Sequence, residues 1–158
     1  MVKEIERKFL LNPKYCLEDL NLRNRKFIED QYLTPNLRIR NINNESKWTI
    51  TIKSSGKIER EESEFTSLIK PYFNHTNYPI LRKYRYIACF KKQNFEVNQF
   101  FDIRYMNKSL VLVELEIPSK QTNIYLPEWL GEEVTDDIRF YGHNLALFLS
   151  YGNFSYNK

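Results

Sequence analysis

Charge recurs at every second residue in most segments of this chain that read as strands, and that pattern restricts its folds more than any other feature. A strand sends alternate side chains to opposite faces. Near the N-terminus, E-I-E-R-K therefore sets Glu4, Glu6 and Lys8 on one face, between Val2 and the apolar run Phe9-Leu10-Leu11. R-I-R does the same for Arg38 and Arg40, and W-T-I-T-I-K places Thr49, Thr51 and Lys53 opposite Trp48, Ile50 and Ile52. I-E-R-E-E-S-E-F carries Glu62 and Glu64, L-R-K-Y-R-Y-I carries Lys83 and Arg85, and F-E-V-N-Q-F carries Glu96 and Asn98. In L-V-L-V-E-L-E-I, Leu110, Leu112, Glu114 and Glu116 stand opposite Val111, Val113, Leu115 and Ile117. With K-F-I-E-D-Q-Y-L there are about eight such strands.

One polar strand face is ordinary, because antiparallel sheets often wet one side. Recurrence is different. The opposite faces carry Ile5, Ile39, Ile50, Ile52 and Leu115, which need cover. Both demands are met if the sheet closes into a barrel with its charges inward and other segments packed on its apolar outside. The predicted class is α+β, mainly β: an eight-stranded antiparallel tunnel barrel with a charged interior and peripheral helices. Dry burial of so many ions would cost several kcal/mol each, so the interior is a wet binding site and not a folding core.

The interior chemistry falls into two sets. Paired carboxylates bind hard divalent cations through oxygen. Clustered Arg and Lys bind phosphate, Arg as a planar fork and Lys as a point charge. A polyphosphate carrying Mg2+ or Mn2+ suits both sets.

The remaining features bound this reading. At 158 residues, the chain predicts one domain over 1–158 with room for a core. Net charge is +4, compatible with an anionic partner and also with ordinary solubility. No apolar run approaches membrane-spanning length and no signal peptide is visible. Cys16 and Cys89 form no metal or redox motif, and a reduced cytoplasmic setting is predicted. His75 and His143 are too sparse for a histidine metal site. Ser54-Ser55 with Gly56 predicts a hairpin turn, and Ser67–Asn77, with Pro71, a short helix or loop. Thr135-Asp136-Asp137 predicts the start of a helix that Gly152 ends, with apolar residues between Asn144 and Leu149.

The ordered set of motifs resembles the CYTH family, the triphosphate tunnel metalloenzymes. E-I-E-R-K-F fits its ExExK signature at Glu4, Glu6 and Lys8. Q-Y-L at 31–33, R-I-R at 38–40, T-I-K-S at 51–54, E-S-E at 62–64, R-K-Y-R-Y at 82–86, L-V-E-L-E at 112–116 and G-E-E-V-T-D-D-I-R-F at 131–140 follow in the family's order. The resemblance implies an eight-stranded tunnel and a metal-dependent enzyme that hydrolyses or cyclises triphosphates. It implies metal at Glu4, Glu6, Glu114 and Glu116 with Glu62 and Glu64 contributing. Phosphate would be held by Arg38, Arg40, Lys53, Lys83 and Arg85. Lys8 would orient the terminal phosphate or help activate water. As catalytic residues it points to Lys8, Glu4 and Glu6.

One position departs from the family pattern. Asn98 stands where an acid is usual, which predicts a weaker second metal site unless Asp102, four residues on at the same parity, supplies the carboxylate. The expected reaction is metal-dependent hydrolysis of inorganic tripolyphosphate, with Mg2+ or Mn2+. The alternatives are a non-catalytic nucleotide or polyphosphate binder, a nucleoside, thiamine or RNA 5′-triphosphatase, and a cyclase on the same fold. Nucleic acid is expected only as 5′-triphosphate RNA, and no membrane partner is expected. The oligomeric state stays open, a homodimer included.

Overall fold

The structure is a computed structural model, and it describes residues 2–54, 59–71 and 80–151. The predicted turn at Gly56 and most of the segment expected after Ser67 lie outside the described residues.

Nine strands form one antiparallel sheet: β1 (Val2–Leu11), β2 (Leu22–Thr34), β3 (Leu37–Ile42), β4 (Trp48–Lys53), β5 (Glu59–Ser67), β6 (Ile80–Phe90), β7 (Gln93–Tyr105), β8 (Lys108–Glu116) and β9 (Leu130–Glu133). Their order is β5-β4-β3-β2-β6-β7-β8-β1-β9, and an added β5–β1 pairing closes the first eight strands into a barrel. β1 makes that closure by sharing its length. Residues Val2–Ile5 pair with β5, Glu6–Leu10 pair with β8, and β9 pairs with Phe9 and Leu11. The closed barrel agrees with the alternation read from the sequence; β9 is a short addition to it.

Three hairpins turn without glycine. Asn43-Asn44, Lys91-Lys92 and Met106-Asn107 all have positive φ, as tight turns matched to strand twist require. Asn tolerates this conformation, whereas each lysine and Met106 adopt it at about 1–2 kcal/mol.

Apolar residues gather on two sides of the sheet. Outside the barrel, Ile5, Phe9, Phe95, Val97, Val113, Leu115 and Ile117 pack beneath Tyr15, Leu17, Leu20, Ile124 and Trp129. Inside, Leu10, Leu81, Phe100, Leu110 and Leu112 pack with Phe140, Leu145 and Ala146 and fill one end. Full burial of an aliphatic such as Leu112 or Val113 stabilises the fold by about 1.5–3 kcal/mol. Cover over the outer face is partial: Ile52 and Phe65, on β4 and β5, are 48% and 54% exposed. The covering segments pack over β1, β7 and β8 instead.

Among the described residues there is one α-helix, α1 (Gly142–Tyr151), in place of several peripheral helices. It begins later than the sequence predicts. Asp137 caps a short 3-10 turn, Ile138–Phe140, by accepting from the Arg139 backbone N–H. Thr135 is engaged elsewhere: its Oγ1 accepts from the Lys8 backbone N–H at 3.0 Å and donates to Glu133 at 2.7 Å. At the start of α1, a Cβ on residue 142 would lie 2.0 Å from the Tyr32 hydroxyl. Glycine there allows the helix to close on the barrel end.

Candidate functional site

The barrel encloses a cavity of about 820 Å3 whose lining includes all twelve charged residues assigned from the sequence to metal or phosphate. They are Glu4, Glu6 and Lys8 from β1, Arg38 and Arg40 from β3, and Lys53 from β4. Glu62 and Glu64 come from β5, Lys83 and Arg85 from β6, and Glu114 and Glu116 from β8. The twelve arrive together because period-two alternation on a closed sheet sends one parity of every strand inward.

Strand order separates their charges. β5, β1 and β8 are neighbours on one side of the barrel, and β3, β2 and β6 are neighbours on the other. The first wall is acidic. Glu116 pairs in register with Glu6, and burial together with Glu4, Glu96, Glu6 and Glu62 raises its carboxyl above the ordinary value. No ion pair to Glu116 forms among the described residues. A carboxylate crowded by carboxylates is an environment that a cation relieves.

Around this wall, four cations hold Glu4, Glu6, Glu62, Glu96 and Glu114, while Glu64 accepts from Thr51 at 3.0 Å and lies 3.7 Å from Arg38. Lys53 lies 2.7 Å from Glu4 and 2.6 Å from Glu62. Lys8 lies 3.2 Å from Glu114 and 3.6 Å from Glu6, and its ammonium also donates to the Phe140 carbonyl at 3.4 Å. Burial opposes the charge on Lys8, but Glu114 and Glu6 raise its pKa above the usual value, so it stays an ammonium. Arg60 sits 3.7 Å from Glu6, and its buried Nε has no hydrogen-bond partner among the described residues. Arg85 bridges Glu96 at 2.5 Å and Glu114 at 3.1 Å. Burial would raise Glu114, yet Lys8, Lys83 and Arg85 hold it well below the usual carboxylate range.

The opposite wall is basic, and its centre is a residue that sequence reasoning passed over. Asp30, on β2, is fully buried. Arg40 donates to it from Nε at 2.6 Å and from Nη2 at 2.8 Å. Arg38 and Lys83 stand 3.8 and 3.7 Å away. Burial opposes ionisation of Asp30, but Arg40, Arg38 and Lys83 hold its pKa far down. The same crowding acts on Lys83: burial first, then Arg85, push its ammonium down to about 7. Arg38 also donates to Thr51 at 2.9 Å, and its buried Nε has no hydrogen-bond partner among the described residues. Thus Arg40 does not aim its whole fork at the cavity, as the sequence alone suggests.

Asn98 is no gap in the site. It is fully buried, its carbonyl accepts from Arg85 Nε at 2.8 Å, and its amide donates to Glu114 at 2.9 Å. Asp102 does not replace it. The β7–β8 register shifts between Gln99 and Arg104, so Ile103 turns into the core and Asp102 is exposed.

Asp30 was hidden because Glu29 precedes it directly, and two adjacent acids show no alternation. Arg60 was legible, since it continues the parity of Glu62 and Glu64. The donors on the acidic wall are carboxylate oxygens, the type that hard divalent cations take. Among the described residues no three acidic, His or Cys side chains already converge as a ligand set. Lys53 occupies the space between Glu4 and Glu62.

Comparison with known proteins agrees with this architecture. The family model for the CYTH domain matches residues 2–143. An inorganic triphosphatase of Acetivibrio thermocellus is 30% identical over 153 residues, covering 92% of this chain and 94% of that protein. A crystal structure of the inorganic triphosphatase NE1496 is 30% identical with a TM-score of 0.58, covering 93% of this chain and 96% of that one. A second structure, of the hypothetical protein NE1496, is 30% identical with a TM-score of 0.57, covering 91% and 97%.

Proposed function

Because this chain belongs to the CYTH domain family, we propose that it is a metal-dependent triphosphatase whose substrate is inorganic tripolyphosphate. The observation that carries this reading is the pair of opposed walls, acidic on β5-β1-β8 and basic on β3-β2-β6, across one cavity. A phosphate chain between them meets cations on one side and needs cations on the other. The relatives named as inorganic triphosphatases, similar over most of their length, support the same substrate.

In this reading Glu4, Glu6, Glu114 and Glu116 hold Mg2+ or Mn2+, with Glu62 and Glu64 contributing. The metal supplies charge neutralisation at the phosphate oxygens. Arg38, Arg40, Lys83, Arg85 and Lys53 hold the chain through charge-assisted hydrogen bonds. Lys8 orients the terminal phosphoryl group. Against burial, Glu114 and Glu6 raise its pKa, which favours the ammonium that holds phosphate. The oxygen of a water bonds to the terminal phosphorus and the bridging P–O bond breaks. Pyrophosphate and orthophosphate leave, and the proton of the water passes to solvent or product. Catalysis comes from positioning and charge neutralisation. The exposed free thiols of Cys16 and Cys89 support a reduced, cytoplasmic setting. No helix of the described residues is long and apolar enough to cross a membrane.

The test is a substrate panel with and without Mg2+ or Mn2+: tripolyphosphate, nucleoside triphosphates, thiamine triphosphate and 5′-triphosphate RNA, with products identified by phosphorus NMR. Orthophosphate and pyrophosphate from tripolyphosphate, only with metal, are the expected products. Cyclic nucleotide, or binding of tripolyphosphate without turnover, would replace this function with another.

A further inference from the structure

We propose that Asp30 is a positioning residue for the phosphate-binding wall, a buried anion that aligns Arg40 and gathers Arg38 and Lys83 for the triphosphate chain. The proposal rests on the triphosphatase reading of the cavity.

Asp30 is fully buried and is not among the residues lining the cavity; it lies behind the lining. It is held there by the sheet. Its partner across the β2–β3 ladder is Arg40, and across the β2–β6 ladder it is Leu81, a core residue. A substrate-sized anion therefore meets Arg40 and not Asp30.

The geometry of Arg40 is what the carboxylate controls. Nε and Nη2 both donate to it, at 2.6 and 2.8 Å. Two parallel bonds fix the plane of a guanidinium, where one bond would leave it free to turn. Nη1 forms no other bond among the described residues and remains for the cavity. Arg38 and Lys83, at 3.8 and 3.7 Å, are ion-paired with the same carboxylate but lie beyond hydrogen-bond range. Both keep donors for a ligand. Three cations around one anion leave the wall positive, while the anion lets them stand close together before substrate arrives.

Field and positioning predict opposite signs. Asp30→Asn removes a negative charge from beside a phosphate site. If Asp30 acted only through its field, tripolyphosphate would bind more tightly. If it aligns Arg40, binding weakens despite the gain in positive charge.

The experiment is calorimetric titration of tripolyphosphate, in metal-free buffer, into wild type, Asp30→Asn, Arg40→Ala and the double variant, paired with steady-state kinetics in Mg2+. One lost charge-assisted contact predicts about tenfold weaker binding for Asp30→Asn. In kinetics, KM rises by about the same tenfold factor, while kcat changes less than about threefold, the signature of lost binding that is uniform between ground and transition states. The double variant loses less than the sum of the two single variants, because part of what Asp30 does passes through Arg40. Equal or tighter binding by Asp30→Asn, or additive losses in the double variant, overturns the proposal. If Asp30→Asn does not fold, Asp30→Glu decides. It keeps the charge and displaces the carboxylate from its two bonds to Arg40, so unchanged affinity overturns the proposal and a loss of about tenfold sustains it. A wild type that binds no tripolyphosphate refutes the functional reading and this proposal with it. A wild type that binds beside an indifferent Asp30→Asn refutes the proposal alone.

Discussion

Asn98→Asp is the substitution that most directly separates the family pattern from this protein's own packing. By pattern it restores an acid. In this structure it turns the amide that donates to Glu114 at 2.9 Å into a second carboxylate. The lost hydrogen bond to a charged acceptor costs about 1.5–3 kcal/mol. Two carboxylates about 4 Å apart repel by about 4 kcal/mol at an effective dielectric constant of about 20. The new charge on residue 98 also gains attraction to Arg85, whose Nε it already meets at 2.8 Å. At a similar separation that gain is about 4 kcal/mol and cancels the repulsion. The net loss is therefore about 2 kcal/mol in the metal-free protein. For a chain of this size each kcal/mol moves the melting midpoint by about 2–4 °C, so Asn98→Asp melts about 4–8 °C lower. Saturating Mg2+ narrows the difference, because a cation on the acidic wall relieves the added charge. Differential scanning calorimetry at pH 7, with and without Mg2+, measures both. A variant that melts with wild type in metal-free buffer refutes the placement of Asn98 between Arg85 and Glu114.

Two further predictions follow from the charge environment. Burial and neighbouring acids raise Glu116, so its contribution to stability is fully present below the ordinary Glu value and lost as pH rises through its folded value. Glu116→Gln therefore melts higher than wild type at pH 7 without metal. The gap closes toward about pH 4, and half-maximal activity needs more Mg2+ than in wild type. Lys83, at about 7, binds phosphate best as an ammonium. Wild-type affinity for tripolyphosphate then falls as pH rises through that value, by about tenfold in all for one charge-assisted contact, measured by calorimetry against Lys83→Met, in which this limb is absent. A parallel decline in both proteins would remove Lys83 from the phosphate wall.

The site was legible in sequence wherever charge alternated cleanly. Glu4-Ile5-Glu6 and Glu114-Leu115-Glu116 each state which residues face in, and the closed barrel brings them together. Three features depend on contacts distant in sequence and were not legible. Asp30 and Glu29 are adjacent acids, and only pairing with Arg40 on β3 shows which one is inside. Asp102 has the parity of Asn98, but the shifted β7–β8 register turns it outward. The helix starts at Gly142 and not at Thr135 because Thr135 bonds to Lys8 and Glu133, and because the Tyr32 hydroxyl fills the space beside residue 142. Family motifs reveal which strands carry charge, whereas the partner of each charge is a property of the packed barrel.

The central claim is that one cavity holds metal on its acidic wall and phosphate on its basic wall. A crystal of the protein soaked with Mn2+ and tripolyphosphate, with anomalous scattering recorded at the manganese edge, tests it most directly. Manganese beside Glu4, Glu6 and Glu116, and phosphate oxygens within hydrogen-bond range of Arg38 and Lys83, is the result the account predicts. Manganese on the outer surface, or a phosphate chain bound away from β3, β2 and β6, would contradict it.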